Sequence, residues 1–107
     1  MMRAIGLAAL LVLTTAPGAA QDRAVRLGEA AAQRLCADCH AVRRGELRSP
    51  FSGAPAFPVI AMVPGMTAAA LRVALHTSHR IMPDIMLGPD ERDDVVAYIL
   101  SLQTPRE

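Results

Sequence analysis

A chain of 107 residues is enough for one small domain. Its 11 basic residues, every one an arginine, nearly balance 10 acidic ones, which argues against nucleic acid, whose binding leans on a strongly basic face. Phe51, Phe57 and Tyr98 are the only aromatic residues apart from histidine, so the chain can fill little of a core with large side chains of its own.

The first twenty residues read as an export signal. Met1-Met2-Arg3 is a short basic start, and an apolar run from Ala4 to Ala16 breaks at Pro17. Gly18 and Ala20 put small residues where a signal peptidase reads. Cleavage is expected after Ala20, leaving residues 21–107 as the domain, with the periplasm as its compartment. The alternative is an uncleaved anchor, although the run falls short of the roughly 20 apolar residues that a membrane span takes.

From Asp22 to about Cys39 most residues favour helix. Gly28 is the exception, costing about 1 kcal/mol against alanine in a helix interior. It points either to close approach by another element or to an incidental glycine near a frayed end.

Cys36-Ala37-Asp38-Cys39-His40 carries the chemistry. Two cysteines with two residues between them and a histidine directly after form the attachment pattern for a c-type haem. The two thiols would add across the porphyrin's two vinyl groups, and His40 would supply the proximal axial ligand to iron. Two plainer readings compete. A dithiol redox motif would start a helix after a strand, and nothing before Cys36 reads as a strand. A structural zinc would want four ligands, and His76 and His79 are too close together for the usual second pair. Export agrees with haem, because an exported cysteine pair would otherwise oxidise to a disulfide. A buried porphyrin would also add the apolar bulk that the composition lacks, so the haem-free chain should be poorly folded.

Residues 41–64 hold Gly45, Pro50, Gly53, Pro55, Pro58 and Pro64, which rule out a long regular element. A loop of this length usually wraps something or is disordered, and Phe51 and Phe57 favour wrapping. Arg43, Arg44 and Arg48 lie in it and could steer docking to an acidic partner, or simply be solvated. Thr67 can cap a helix from Ala68 to about His76 with Leu71, Ala74 and Leu75 on one face. Gly88-Pro89-Asp90-Glu91 is a strong helix start. Val95, Tyr98, Ile99 and Leu102 then form one apolar stripe, with Arg92, Asp93 and Asp94 toward solvent. Residues 105–107 read as a loose tail. The fold class is all-α, with three to four helices around one haem and a long proline-rich loop.

Iron has a second axial position. His76 or His79 could fill it with nitrogen; Met62, Met66, Met82 or Met86 could fill it with a thioether, although methionine is usually core filler. Met82 stands out, because Pro83 restricts its backbone to the β or polyproline region and lets the side chain project from a stiff segment.

Taken together, the helix entering Cys36–His40, the loop with Ser49-Pro50 and Ala54-Pro55-Ala56-Phe57, Met82-Pro83 and Val96-Ala97-Tyr98-Ile99 resemble the single-haem, class I cytochromes c of bacteria. The resemblance spans essentially all of residues 21–107. It implies Met82 as the distal iron ligand and a crossing of Gly28 with the last helix near Tyr98. It also implies a proline carbonyl that accepts a hydrogen bond from His40, with Pro50 the first choice and Pro55 the second. The polar cap usual before the last helix is replaced by Gly88. The implied function is a monomeric, exported electron carrier, not an enzyme, serving transient redox protein partners through one covalent haem c. The competing readings are a haem protein with a labile sixth ligand, for gas binding or weak peroxidase chemistry, and a cytochrome subunit fixed to one dehydrogenase.

Overall fold

The computed structural model describes residues 6, 8–14, 17–77, 82 and 87–103. Among the described residues there are four helices: α1 Pro17–Leu35, α2 Phe57–Ala61, α3 Ala68–His76 and α4 Pro89–Ser101. No strand occurs among the described residues, as expected for an all-α chain. No helix among them is long and apolar enough to cross a membrane. His79, Pro83, Met86 and the tail at residues 105–107 lie outside the described residues, as do residues 1–5.

Helix α1 starts earlier and stops sooner than expected. Pro17 opens it, since proline's fixed φ suits a first helical position, so the expected cleavage point after Ala20 falls in its exposed opening turn. It ends at Leu35 and not at Cys39, because Cys36–Cys39 close into turns. Helix α3 begins as its cap dictates: Thr67 Oγ1 accepts from the Ala70 N–H at 3.1 Å. Helix α4 begins on an extended Gly88 with Pro89 behind it and Asp90 and Glu91 in the first turn.

The core lies where α1 crosses α4. Gly28 makes that crossing possible: a Cβ there would sit 2.8 Å from the Tyr98 Cβ and inside the Asp94 carbonyl. Close approach, and not fraying, is therefore the reason for this glycine. Ala31 and Ala32 continue the small face and are buried in one cluster with Val95, Val96 and Ile99 of α4 and with Leu102 at its C-cap. From the other elements, Leu71 of α3 and Phe57 and Ala61 of α2 join the same cluster. Among the described residues the core is built mostly from alanine, valine and leucine-sized side chains, with Phe57 and Tyr98 the aromatic ones in it.

Two surface ion pairs flank α4, Arg34 Nη2 to Glu91 Oε2 at 3.1 Å and Arg72 Nε to Asp93 Oδ1 at 3.2 Å. Exposed pairs of this kind contribute about 0–1 kcal/mol each. Arg92 and Asp94 depart from the solvent positions expected of them and are half-buried, whereas Asp93 is exposed; Asp94 lies where α1 crosses and Arg92 turns back toward Leu87.

Candidate haem site

The five-residue motif closes as one turn at the end of α1. The Cys36 N–H still donates to the Ala32 carbonyl at 2.8 Å, continuing the helix ladder. The Cys36 carbonyl then accepts from both Cys39 N–H at 3.2 Å and His40 N–H at 2.9 Å. Shared acceptors of this type satisfy the orphan carbonyls of a helix end. The turn brings Cys36, Cys39 and His40 to one place, with Cys36 buried in the core cluster and Cys39 exposed. Burial, with the nearby Glu91 charge adding to it, pushes the Cys36 thiol up to about 11. Surroundings so hostile to a thiolate suit a neutral sulfur, which a thioether is.

The proline-rich loop is fastened to this turn by its backbone. Phe51 N–H donates to the Cys39 carbonyl at 3.2 Å, and Phe57 N–H donates to the Ala41 carbonyl at 2.8 Å. Between them Ala41 N–H donates to Ser49 Oγ at 2.9 Å. From the far side, the Tyr98 hydroxyl of α4 donates to the Val42 carbonyl at 2.5 Å. The loop therefore wraps the motif, and α4 holds both.

His40 is where the loop acts on the chemistry. Its Nδ1–H donates to the Pro55 carbonyl at 2.6 Å, and the Phe57 ring packs near it with centroids 5.4 Å apart and planes tilted by 54°. A carbonyl can only accept, so the bond fixes the tautomer and leaves the Nε2 lone pair for a metal. This corrects the preference for Pro50. The Phe51 N–H bond holds Pro50 beside Cys39. The bond from Ala54 N–H to the Phe51 carbonyl at 3.0 Å and the Phe57–Ala41 bond bracket Pro55 and present its carbonyl to the ring.

The donor set fits a covalently held haem: two cysteines, one of them in apolar surroundings, and an imidazole with a fixed tautomer. Among the described residues no group of three or more His, Cys, Asp or Glu side chains could hold a metal ion, whereas a structural zinc takes four ligands. Of the candidates for a second ligand, Met82 and Met66 are half-buried, while Met62 and His76 are exposed. Met66 packs against the core cluster.

All three arginines after the motif are exposed, and one of them also ties the loop to α4. Arg44 Nη2–H donates to the Ser101 carbonyl at 2.6 Å and so caps the C-terminus of α4, where a cation is favoured. Arg43 and Arg48 are exposed. Sequence reasoning missed the roles of Ser49 and Arg44, and no local pattern could have revealed them, since their partners lie 8 and 57 residues away.

The chain is 34% identical over 95 residues to cytochrome c-552 of Bradyrhizobium diazoefficiens, an alignment covering 87% of this chain and 90% of that protein. No protein-family model and no solved structure matches the chain.

Proposed function

The chain belongs to the class I c-type cytochromes, and from that premise we propose that it is an exported, monomeric carrier of single electrons between transient protein partners, its iron held by His40 and Met82. The observation that carries this reading is the 2.6 Å bond from His40 Nδ1 to the Pro55 carbonyl. It supports His40 as the proximal ligand because it leaves Nε2 as the one ring nitrogen able to bind iron. Cys36 and Cys39 would hold the haem through thioethers, and bound there it supplies a one-electron ferric–ferrous couple.

The chain's own residues do the rest. His40 is oriented by Pro55 and buttressed by Phe57, so its ring is already in place in either oxidation state. Met82 contributes a neutral thioether, which favours the ferrous state over what a second nitrogen ligand would give and raises the potential. Two protein ligands leave no open position for substrate, which separates a carrier from a gas binder or peroxidase. The buried, small-residue core beside Cys36 adds a low-dielectric wall, which disfavours the extra charge of the ferric form. Cleavage after Ala20 would release residues 21–107 into the periplasm.

Carbon monoxide distinguishes the readings. Reduced holoprotein at neutral pH should bind it only slowly, no faster than Met82 leaves the iron, and the haem should stay with the polypeptide through denaturation and acidic solvent extraction. Ready binding of carbon monoxide by wild type would turn the reading toward a labile sixth ligand.

A further inference from the structure

Arg92 sits where a cation is costly. It lies in the first turn of α4, at the positive end of the helix dipole, and it is half-buried. Its Nε is buried with no hydrogen-bond partner. Among the described residues, the neighbouring carboxylates Glu91 and Asp93 pair with Arg34 and Arg72 instead. A desolvated, partly unpaired charge is unfavourable unless it holds something in place.

What it holds is the carbonyl of Leu87, which accepts from Arg92 Nη2–H at 3.1 Å. The side chain reaches it because helical side chains lean toward the N-terminus of their own helix. The Arg92 backbone N–H donates to the Gly88 carbonyl at 2.9 Å. One residue thus fastens two successive carbonyls at the point where the chain, five residues after Met82, enters α4.

We propose that Arg92 is a positioning residue for the distal ligand: it anchors the C-terminal end of the Met82 segment to α4 and so keeps the thioether on the iron. The inference rests on the Met82 reading above. Met82 stands outside any helix and is half-buried, and Leu87 lies five residues after it. On its N-terminal side the chain leaves α3 through Thr77, whose N–H and Oγ1–H both donate to the Val73 carbonyl; on the C-terminal side Arg92 holds Leu87. With Leu87 released, Met82 would leave the iron more often.

The test compares holo wild type with Arg92→Leu, Arg92→Lys and, as a control on the same helix, Arg72→Leu. The ferric thioether charge-transfer band and helical circular dichroism are followed on one thermal ramp, and carbon monoxide binding is timed on the reduced proteins. In wild type and Arg72→Leu, band and helix should be lost together. In Arg92→Leu the band should be lost well before the helix, and carbon monoxide should bind roughly tenfold faster, as for loss of one charge-assisted hydrogen bond. Arg92→Lys, which keeps a donor and a charge, should fall between and covers the case in which the leucine variant does not fold. Coincident loss of band and helix in both Arg92 variants, with unchanged carbon monoxide rates, would overturn the proposal and leave Arg92 a purely structural residue. Absence of the band from wild type itself would instead remove the Met82 reading, and this inference with it.

Discussion

The crossing of α1 and α4 and the loop around the haem motif are built in opposite ways. The crossing is close packing: at Gly28 the backbone of α1 meets the Asp94 carbonyl and the Tyr98 Cβ of α4, and beside it Ala31 and Ala32 are buried with Val95 and Ile99. The loop is backbone against backbone: Phe51 to Cys39 and Phe57 to Ala41, with the Ser49 hydroxyl and the Tyr98 hydroxyl completing the set. Packing of small residues sets how near two helices come, while directed hydrogen bonds set where one imidazole points. Tyr98 belongs to both regions, since its Cβ lies at the Gly28 crossing and its hydroxyl holds the loop.

Removing the haem should break both regions at once and is the largest effect expected. With three alanines and three valines but only Phe57 and Tyr98 as aromatics in the buried cluster, the described part of the protein core is made largely of small side chains. A Cys36→Ser/Cys39→Ser variant that carries no haem should lose most helical circular dichroism and its cooperative thermal transition. Helicity close to the holo value would mean the α1–α4 crossing stands without the cofactor.

Gly28→Ala should damage the crossing alone. The new Cβ would fall within 2.8 Å of the Tyr98 Cβ, and the backbone carbonyl of Asp94 cannot swing aside as a flexible side chain would. A cost of about 3 kcal/mol is expected in holoprotein unfolding, at the upper end for overpacking. The ferric optical spectrum should persist in the folded fraction. A loss below about 1 kcal/mol would show that the helices part easily.

Tyr98→Phe should touch the link between the regions more gently. It leaves the Val42 carbonyl without its donor, for about 1–2 kcal/mol. The pH dependence is specific. Burial, with Glu29 adding to it, raises the Tyr98 phenol above its ordinary value, so the folded state holds that proton more tightly than the unfolded chain. The corresponding stability is present below the ordinary tyrosine value of about 10 and is lost as pH rises through the raised one. Unfolding midpoints measured above pH 9 should therefore fall less steeply in Tyr98→Phe than in wild type. Parallel slopes would contradict the assignment.

The two regions also differ in how far the sequence discloses them. Periodicity announces α4, because Val95, Tyr98, Ile99 and Leu102 recur at helical spacing, and all four are buried. Thr67 and Gly88-Pro89 mark helix starts by local chemistry, and the structure starts α3 and α4 there. Gly28 is ambiguous from residues alone; only the resemblance set it opposite Tyr98. In the loop, local rules run out. Pro50 and Pro55 are equal by residue type, and the choice of Pro55 follows from anchors to Cys39 and Ala41 that depend on the folded chain. Arg92 is misread for the same reason: its helical position beside acidic residues suggests solvent, while its length lets it turn back to Leu87. Short-range patterns disclose elements; hydrogen bonds between distant segments decide the site.

The central claim is an iron closed from two sides, by His40 and by Met82. Optical spectra of ferric holo wild type and Met82→Ala test it most directly. The wild type should show the weak red charge-transfer band of iron bound to thioether sulfur, and the variant should lack it while keeping its covalent haem. A band that survives Met82→Ala would contradict the account and move the ligand to another methionine, Met86 first.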